Sequence, residues 1–173
     1  NIEDENQNHY GSGWYQKKIN IPANWKNKNV VLEFGAINHT SFIYLNGKRV
    51  AENIGDGFNK FIINLNGKLN YGKENVITVA CNNDYGKNKV PFGNSFDWPN
   101  DGGIIRKVHL IVSDKPSANY ILATPSLNIS NNEGKLRIKL GFDEATTIQL
   151  NIVITEENQP TKNIVLSKSV IPD

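Results

Sequence analysis

No stretch of useful length in this chain spaces its apolar residues at the helical period. They fall into short runs that alternate with period two and stop at turn residues. A chain patterned this way buries its side chains by stacking pleated sheets, which confines it to the all-β class. Val30, Leu32 and Phe34 share one face of residues 30–34. Residues 41–45 run directly into Asn46-Gly47, and residues 48–51 leave it. Asn-Gly between two apolar runs is a strong hairpin signal, because both residues tolerate positive φ. A second Asn-Gly stands at Asn66-Gly67.

Other runs fit the same pattern. Residues 14–21 end at Pro22, which cannot continue a central strand. Residues 58–65 set Phe61 and Ile63 opposite Ile62. A turn at 71–75 feeds residues 76–81, and residues 104–112 read as a closing strand. Residues 1–12 are polar and read as a loop or tail. Between Asn82 and Gly103 the periodicity lapses, and a loop of that length in a compact domain tends to be functional or disordered. Composition shifts at Ser113-Asp114-Lys115-Pro116-Ser117. After it, residues 120–122, 127–129, 136–140, 148–154 and 164–166 alternate as strands with one wet face. This second unit has about half the ~100 residues of an immunoglobulin-type sandwich, so its apolar faces cannot all be covered from within.

Composition removes several function classes. The 173 residues carry a net charge of +2, with basic residues scattered rather than striped. A nucleic-acid footprint is therefore absent. No apolar run approaches the ~20 residues of a membrane-spanning helix. Cys81, the single cysteine, has no partner for an intrachain disulfide and reads as a small buried hydrophobe. His9, His39 and His109 show no ligand spacing, so neither a metal nor another cofactor is expected. The chain opens on Asn1 and contains no methionine, so it is expected to be a fragment or processed form. No signal peptide is visible, and the compartment stays unassigned between cytoplasm and periplasm or exterior.

Four stretches in order resemble the N-terminal sugar-binding domain of glycoside hydrolase family 2, which includes β-galactosidases, β-glucuronidases and β-mannosidases. Gly13-Trp14-Tyr15-Gln16-Lys17 resembles that domain's Gly-Trp-Tyr-Arg-Lys strand. Phe42-Ile43-Tyr44-Leu45-Asn46-Gly47-Lys48 resembles its Val-Trp-Val-Asn-Gly-Lys hairpin. Gly72-Lys73-Glu74-Asn75-Val76-Ile77-Thr78-Val79 resembles its Gly-Glu-Asn-Val-Leu-x-Val segment. Asp97 to Arg106 resembles its Asp-x-x-Asn-x-Gly-Gly-Ile-x-Arg segment. The chain departs from the pattern at Gln16, usually Arg, and at Lys107, where Asp commonly follows.

The resemblance implies a jelly-roll, galactose-binding-like β-sandwich over residues 1–113, with early strands missing. A linker at 114–118 and the start of an immunoglobulin-like sandwich at 119–173 follow. It implies a parent enzyme of the retaining, β-galactosidase-like kind that hydrolyses O-glycosidic bonds. The acid/base and nucleophile glutamates of such an enzyme belong to a catalytic (β/α)₈ barrel, so this chain alone is expected to be inactive. The partners expected are a carbohydrate substrate and the parent's own barrel.

Retaining hydrolysis needs two carboxyl groups about 5–5.5 Å apart. Asp97 and Asp101 share a loop, but nothing in the sequence marks either as a protonated acid, and no catalytic residue is assigned. The resemblance implies instead that Asp97 reaches the barrel mouth and holds the first sugar. A carboxylate can accept from two adjacent hydroxyls through strong charge-assisted bonds; the alternative is an Asp that caps its own turn. Trp98 offers a plate for a sugar face or for packing against a partner domain. Asn100 and Asp101 bind hydroxyls or form the turn. Gly102 and Gly103 permit positive φ or close backbone approach. Arg106 is expected to pair with a carboxylate inside the sandwich, Trp14, Tyr15 and Tyr44 to be core or interface, and Trp25 to cover one end of the sandwich.

Two other classes fit the strand pattern. One is a stand-alone carbohydrate-binding module. The other is a structural or adhesive β-sandwich that self-associates through an exposed edge strand.

Overall fold

The computed structural model describes residues 10–84, 101–144 and 147–170. The chain divides into two compact units, Asn1–Ser113 and Asp114–Asp173.

In the first unit the strands are β1 (Ser12–Ile21), β2 (Asn29–Phe34), β3 (Ile37–Asn38), β4 (Thr40–Leu45), β5 (Lys48–Asn53), β6 (Phe61–Asn64), β7 (Lys73–Asn82), β8 (Gly103–Ile104) and β9 (Val108–Ser113). They build a four-stranded sheet in the order β1-β7-β4-β5, a three-stranded sheet β6-β2-β9 and a small β3-β8 pair. All pairings are antiparallel. Alternation decides which side chains meet between the sheets. Ile43, Leu45, Ile77 and Val79 come from one sheet and Val30, Leu32, Phe34 and Ile63 from the other, all buried. Each such side chain contributes about 1.5–3 kcal/mol of transfer free energy. Phe34 and Phe61 stack with ring centroids 5.2 Å apart. A single 3₁₀ turn at Ala23–Trp25 follows Pro22, and Trp25 packs against this core.

Both Asn-Gly pairs form turns. Asn46 has φ 51° and Gly47 φ 80°, the left-handed pair that a tight hairpin requires. Asn75, fully buried, holds this corner together. Its Oδ1 accepts from Asn46 Nδ2 and from the Asn70 amide, each at 2.8 Å, and its Nδ2 donates to the Asn70 carbonyl at 2.8 Å.

Three strand boundaries differ from the sequence reading. Residues 104–112 do not form one strand: the chain bends at 105–107 between β8 and β9. The bend faces Gly35, whose amide donates to the Lys107 carbonyl at 2.9 Å. A Cβ at Gly35 would lie 2.8 Å from Arg106 Cβ. Opposing strands therefore break at the same level, and each shifts from the three-stranded sheet to the β3-β8 pair. Residues 58–60 bend before β6 begins at Phe61. Ile37–Asn38 forms a strand that its short length hid.

The second unit holds β10 (Ala118–Asn128), β11 (Glu133–Phe142), β12 (Ile148–Glu156) and β13 (Gln159–Val170), paired as β10-β11 and β12-β13. Its start is tied down by Asp143, whose carboxylate accepts from the Ser117 amide at 2.7 Å and the Ser117 hydroxyl at 3.0 Å. Lys115 pairs with Glu144. Ile121, Leu122, Leu127, Ile129 and Val153 stand exposed. The uncovered apolar faces read from the sequence are thus present. The chain is all-β: a jelly-roll sandwich followed by strands of a partial immunoglobulin-like sandwich.

Candidate functional site

Residues 85–100, between the end of β7 and β8, lie outside the described residues. The described residues on either side of them are fastened by buried amides. Asn83 is 4% exposed; its Oδ1 accepts from the Gly11 amide at 2.9 Å, and its own amide donates to the Gly11 carbonyl at 3.2 Å. Asn38, 1% exposed, donates from Nδ2 to the Asp101 carbonyl at 2.8 Å. The His39 amide donates to the Asn82 carbonyl at 3.1 Å. The two departure points are therefore held by side-chain amides that are themselves buried.

Glycines let the returning strand fit. A Cβ on Gly102 would lie 2.5 Å from Asn83 Nδ2, and one on Gly103 would collide with the Tyr15 hydroxyl. Gly103 also has φ 85°, a region that L side chains rarely occupy. Both geometric roles read from the sequence are present at this turn.

Of the site residues expected from the sequence, Asp97, Trp98 and Asn100 lie outside the described residues. Asp101 is exposed, and its carbonyl is engaged by Asn38. Arg106 corrects an expectation. It is exposed and donates from Nη1 to the Phe58 carbonyl at 2.7 Å, rather than pairing with a carboxylate inside the sandwich. The bend at 105–107 turns it outward. Sequence reasoning missed Asn38 as an anchor. The signal was a polar pair, Asn38-His39, following the apolar Ala36-Ile37 and buried with them.

The aromatic residues of β1 and β4 divide between the two faces of their sheet. Trp14 and Tyr44 lie on the outward face of the four-stranded sheet, Trp14 with 67% of its surface exposed. Tyr15 faces the other way, toward Gly103. Cys81 is buried, its thiol pKa raised by burial, and its Sγ lies 3.4 Å from the Gly13 carbonyl. Glu33 on the outer face of β2 meets Lys60 Nζ at 3.0 Å and His109 Nδ1 at 3.4 Å. The Lys60 hydrogen bond, reinforced by His109, lowers its pKa. Among the described residues no group of three His, Cys, Asp or Glu is arranged to hold a metal. No helix among them is long and apolar enough to cross a membrane.

A cavity of about 400 Å³ opens between the edge strands β1 and β9, lined by Tyr15, Ile19, Phe34, Val79, Val108 and Leu110 among others. Its walls are mainly core side chains without converging polar groups, so it lacks the hydroxyl-binding chemistry of a sugar site.

The two facing antiparallel sheets define a jelly-roll β-sandwich of the galactose-binding-like class. The sugar binding domain of glycosyl hydrolases family 2 matches residues 2–114, and the chain belongs to that family. It is 28% identical to a β-glucuronidase of Bacteroides fragilis over 155 residues, covering 84% of this chain and 22% of that protein. It is 36% identical to a β-glucuronidase of Formosa agariphila over 109 residues, covering 60% of this chain and 11% of that protein. Proteins named β-galactosidase also match. The structure superposes on a β-glucuronidase from an uncultured Clostridium sp. with a TM-score of 0.75 and 27% identity, covering 96% of this chain and 30% of that one. The chain thus spans well under a third of the curated relatives it matches.

Proposed function

We propose that this chain is the non-catalytic, sugar-binding portion of a retaining family 2 β-glycosidase. Its loop presents Asp97, with Trp98, Asn100 and Asp101 beside it, to a substrate pocket whose acid and nucleophile lie in a catalytic barrel. The barrel is not among these 173 residues. The supporting observation is the family match over residues 2–114, joined to the fixed loop ends at Asn83 and Asp101. Fixing the residues that flank a segment lowers the entropic cost of placing a carboxylate carried within it. The carboxylate of Asp97 then accepts hydrogen bonds from two sugar hydroxyls. The substrate is a β-glucuronide or β-galactoside, the two activities for which the relatives are named.

Asp97→Ala in the full-length enzyme tests this reading. Turnover of 4-nitrophenyl β-D-glucuronide or β-D-galactoside should fall by at least tenfold in kcat/KM, a loss of about 1.4 kcal/mol of transition-state binding. Unchanged kinetics would remove Asp97 from the pocket. The 173-residue chain alone should hydrolyse neither glycoside, and hydrolysis by it would overturn the division of labour.

A further inference from the structure

The outward face of the four-stranded sheet carries an aromatic platform that the loop-based reading does not use. Register sets Trp14, Ala80 and Phe42 side by side, with Gln16, Thr78 and Tyr44 in the next outward row. Ser12, Asn82 and Thr40 form the row on the other side. The rings of Trp14 and Tyr44 stack at 6.3 Å between centroids with their planes 28° apart. The Arg49 guanidinium lies 5.6 Å over the Phe42 ring and braces it. Because Ala80 is small, a shallow depression of about 220 Å³ remains among these side chains.

One end of the depression is polar in an ordered way. Asn82 Nδ2 donates to Ser12 Oγ at 3.2 Å and to Asp84 Oδ2 at 2.8 Å. Ser12 Oγ is used there as an acceptor, so its hydrogen stays available to a ligand oxygen. Thr40 lines the same end.

We propose that this face binds an equatorial-rich, β-linked pyranose chain, with one ring seated on Trp14 and Tyr44 above Ala80. Such a ring has an apolar face of axial C–H groups and a rim of hydroxyls. The aromatic plates desolvate the face, and the hydroxyls of Ser12, which Asn82 orients, and Thr40 meet the rim. The depression is smaller than the roughly 300–1,000 Å³ of a drug-sized pocket, which suits a single ring lying flat. A purely hydrophobic partner would cover the Ser12 and Thr40 hydroxyls without offering them an acceptor, at a desolvation penalty. The site uses no residue of 85–100 and stands or falls separately from the role given to Asp97.

Isothermal titration and saturation-transfer NMR of the 173-residue chain with cellotetraose and with β-1,4-galactotetraose test the proposal. Saturable binding of at least one is expected, with Trp14 indole resonances shifting. Trp14→Ala and Ala80→Arg should each weaken it at least tenfold, and the milder Ser12→Ala several-fold. Ile62→Ala, an exposed position on the other sheet, should change nothing. Far-ultraviolet circular dichroism and melting confirm that each variant is folded, and Ser12→Ala carries the test if a larger change unfolds the chain. Absence of saturable binding at millimolar sugar would overturn the proposal, as would binding indifferent to Trp14 and Ser12. So would a dimer that Trp14→Ala dissolves, or a Trp14 shielded from acrylamide in the full-length protein. Either result makes the face a protein interface.

Discussion

The side-chain amide of Asn38 donates to the main-chain carbonyl of Asp101 at 2.8 Å, joining β3 to the end of a loop 63 residues further along the chain. Asn38 is almost wholly buried, whereas Asp101 is exposed. Asn38→Ala should destabilise the first unit by about 0.5–1.5 kcal/mol, the net worth of one hydrogen bond. Urea denaturation measures this as a lower midpoint at unchanged slope. In the full-length enzyme the same change should raise KM for the glycoside more than a surface substitution of equal stability cost does. Wild-type stability in this variant would mean that the loop end is fixed by other contacts.

Asn75 makes a parallel case at the hairpin corner. It bonds to the Asn46 side chain, the Asn70 amide and the Asn70 carbonyl, all at 2.8 Å. Asn75→Ala removes acceptor and donors together, and about 2–3 kcal/mol of stability should be lost. Asn46→Ala removes one of these bonds and also meets the turn's left-handed φ of 51°. A double-mutant cycle should give a coupling of about 0.5–3 kcal/mol, as expected for residues within one network. Strict additivity would refute a shared network.

Much of this architecture is legible in the sequence because a physical constraint fixes it locally. Period-two alternation places Val30, Leu32 and Phe34 inward, and Asn46-Gly47 turns where its backbone freedom says it should. The anchors of the long loop are not legible this way. Asn38 and Asn83 are surface-type residues by composition, and their burial depends on partners far along the chain at Asp101 and Gly11. The outward placement of Trp14 and Tyr44 follows from the register of β1 and β4 against β7, which alternation within one strand cannot supply. The break between β8 and β9 required knowing that Gly35 lies opposite Lys107.

The Glu33 cluster makes stability depend on acid. Lys60 and His109 hold the folded carboxylate below its ordinary pKa, so the folded state binds its proton less readily than the unfolded state does. The stabilisation is fully present above the unfolded value, about 4.3 for Glu. It is lost as pH falls from there through the depressed folded value. Glu33→Gln should therefore lower the melting temperature at pH 7 to 8, where the stabilisation is fully present, and flatten its decline below about pH 4.3. An acid limb identical to wild type would exclude Glu33 from the linkage.

Edge chemistry at β1 sets the last expectation. β1 pairs with β7 on one side, and among the described residues no strand covers its other side. The Asn83 amide donates to the Gly11 carbonyl, and the Gly13, Tyr15 and Lys17 main-chain groups follow Gly11 toward β7 by alternation. Those of Trp14, Gln16 and Lys18 therefore point outward, a ready template for a second β1. Lys17 and Lys18 oppose such pairing by like-charge repulsion, which salt screens over about 10 Å at 0.1 M. Self-association should thus be weak at low ionic strength and strengthen as salt rises, read by sedimentation or light scattering. Gln16→Pro removes an outward N–H and leaves the ladder to β7 intact, and it should abolish the effect. A monomer at high concentration and high salt, or a dimer indifferent to Gln16→Pro, would refute pairing through this edge.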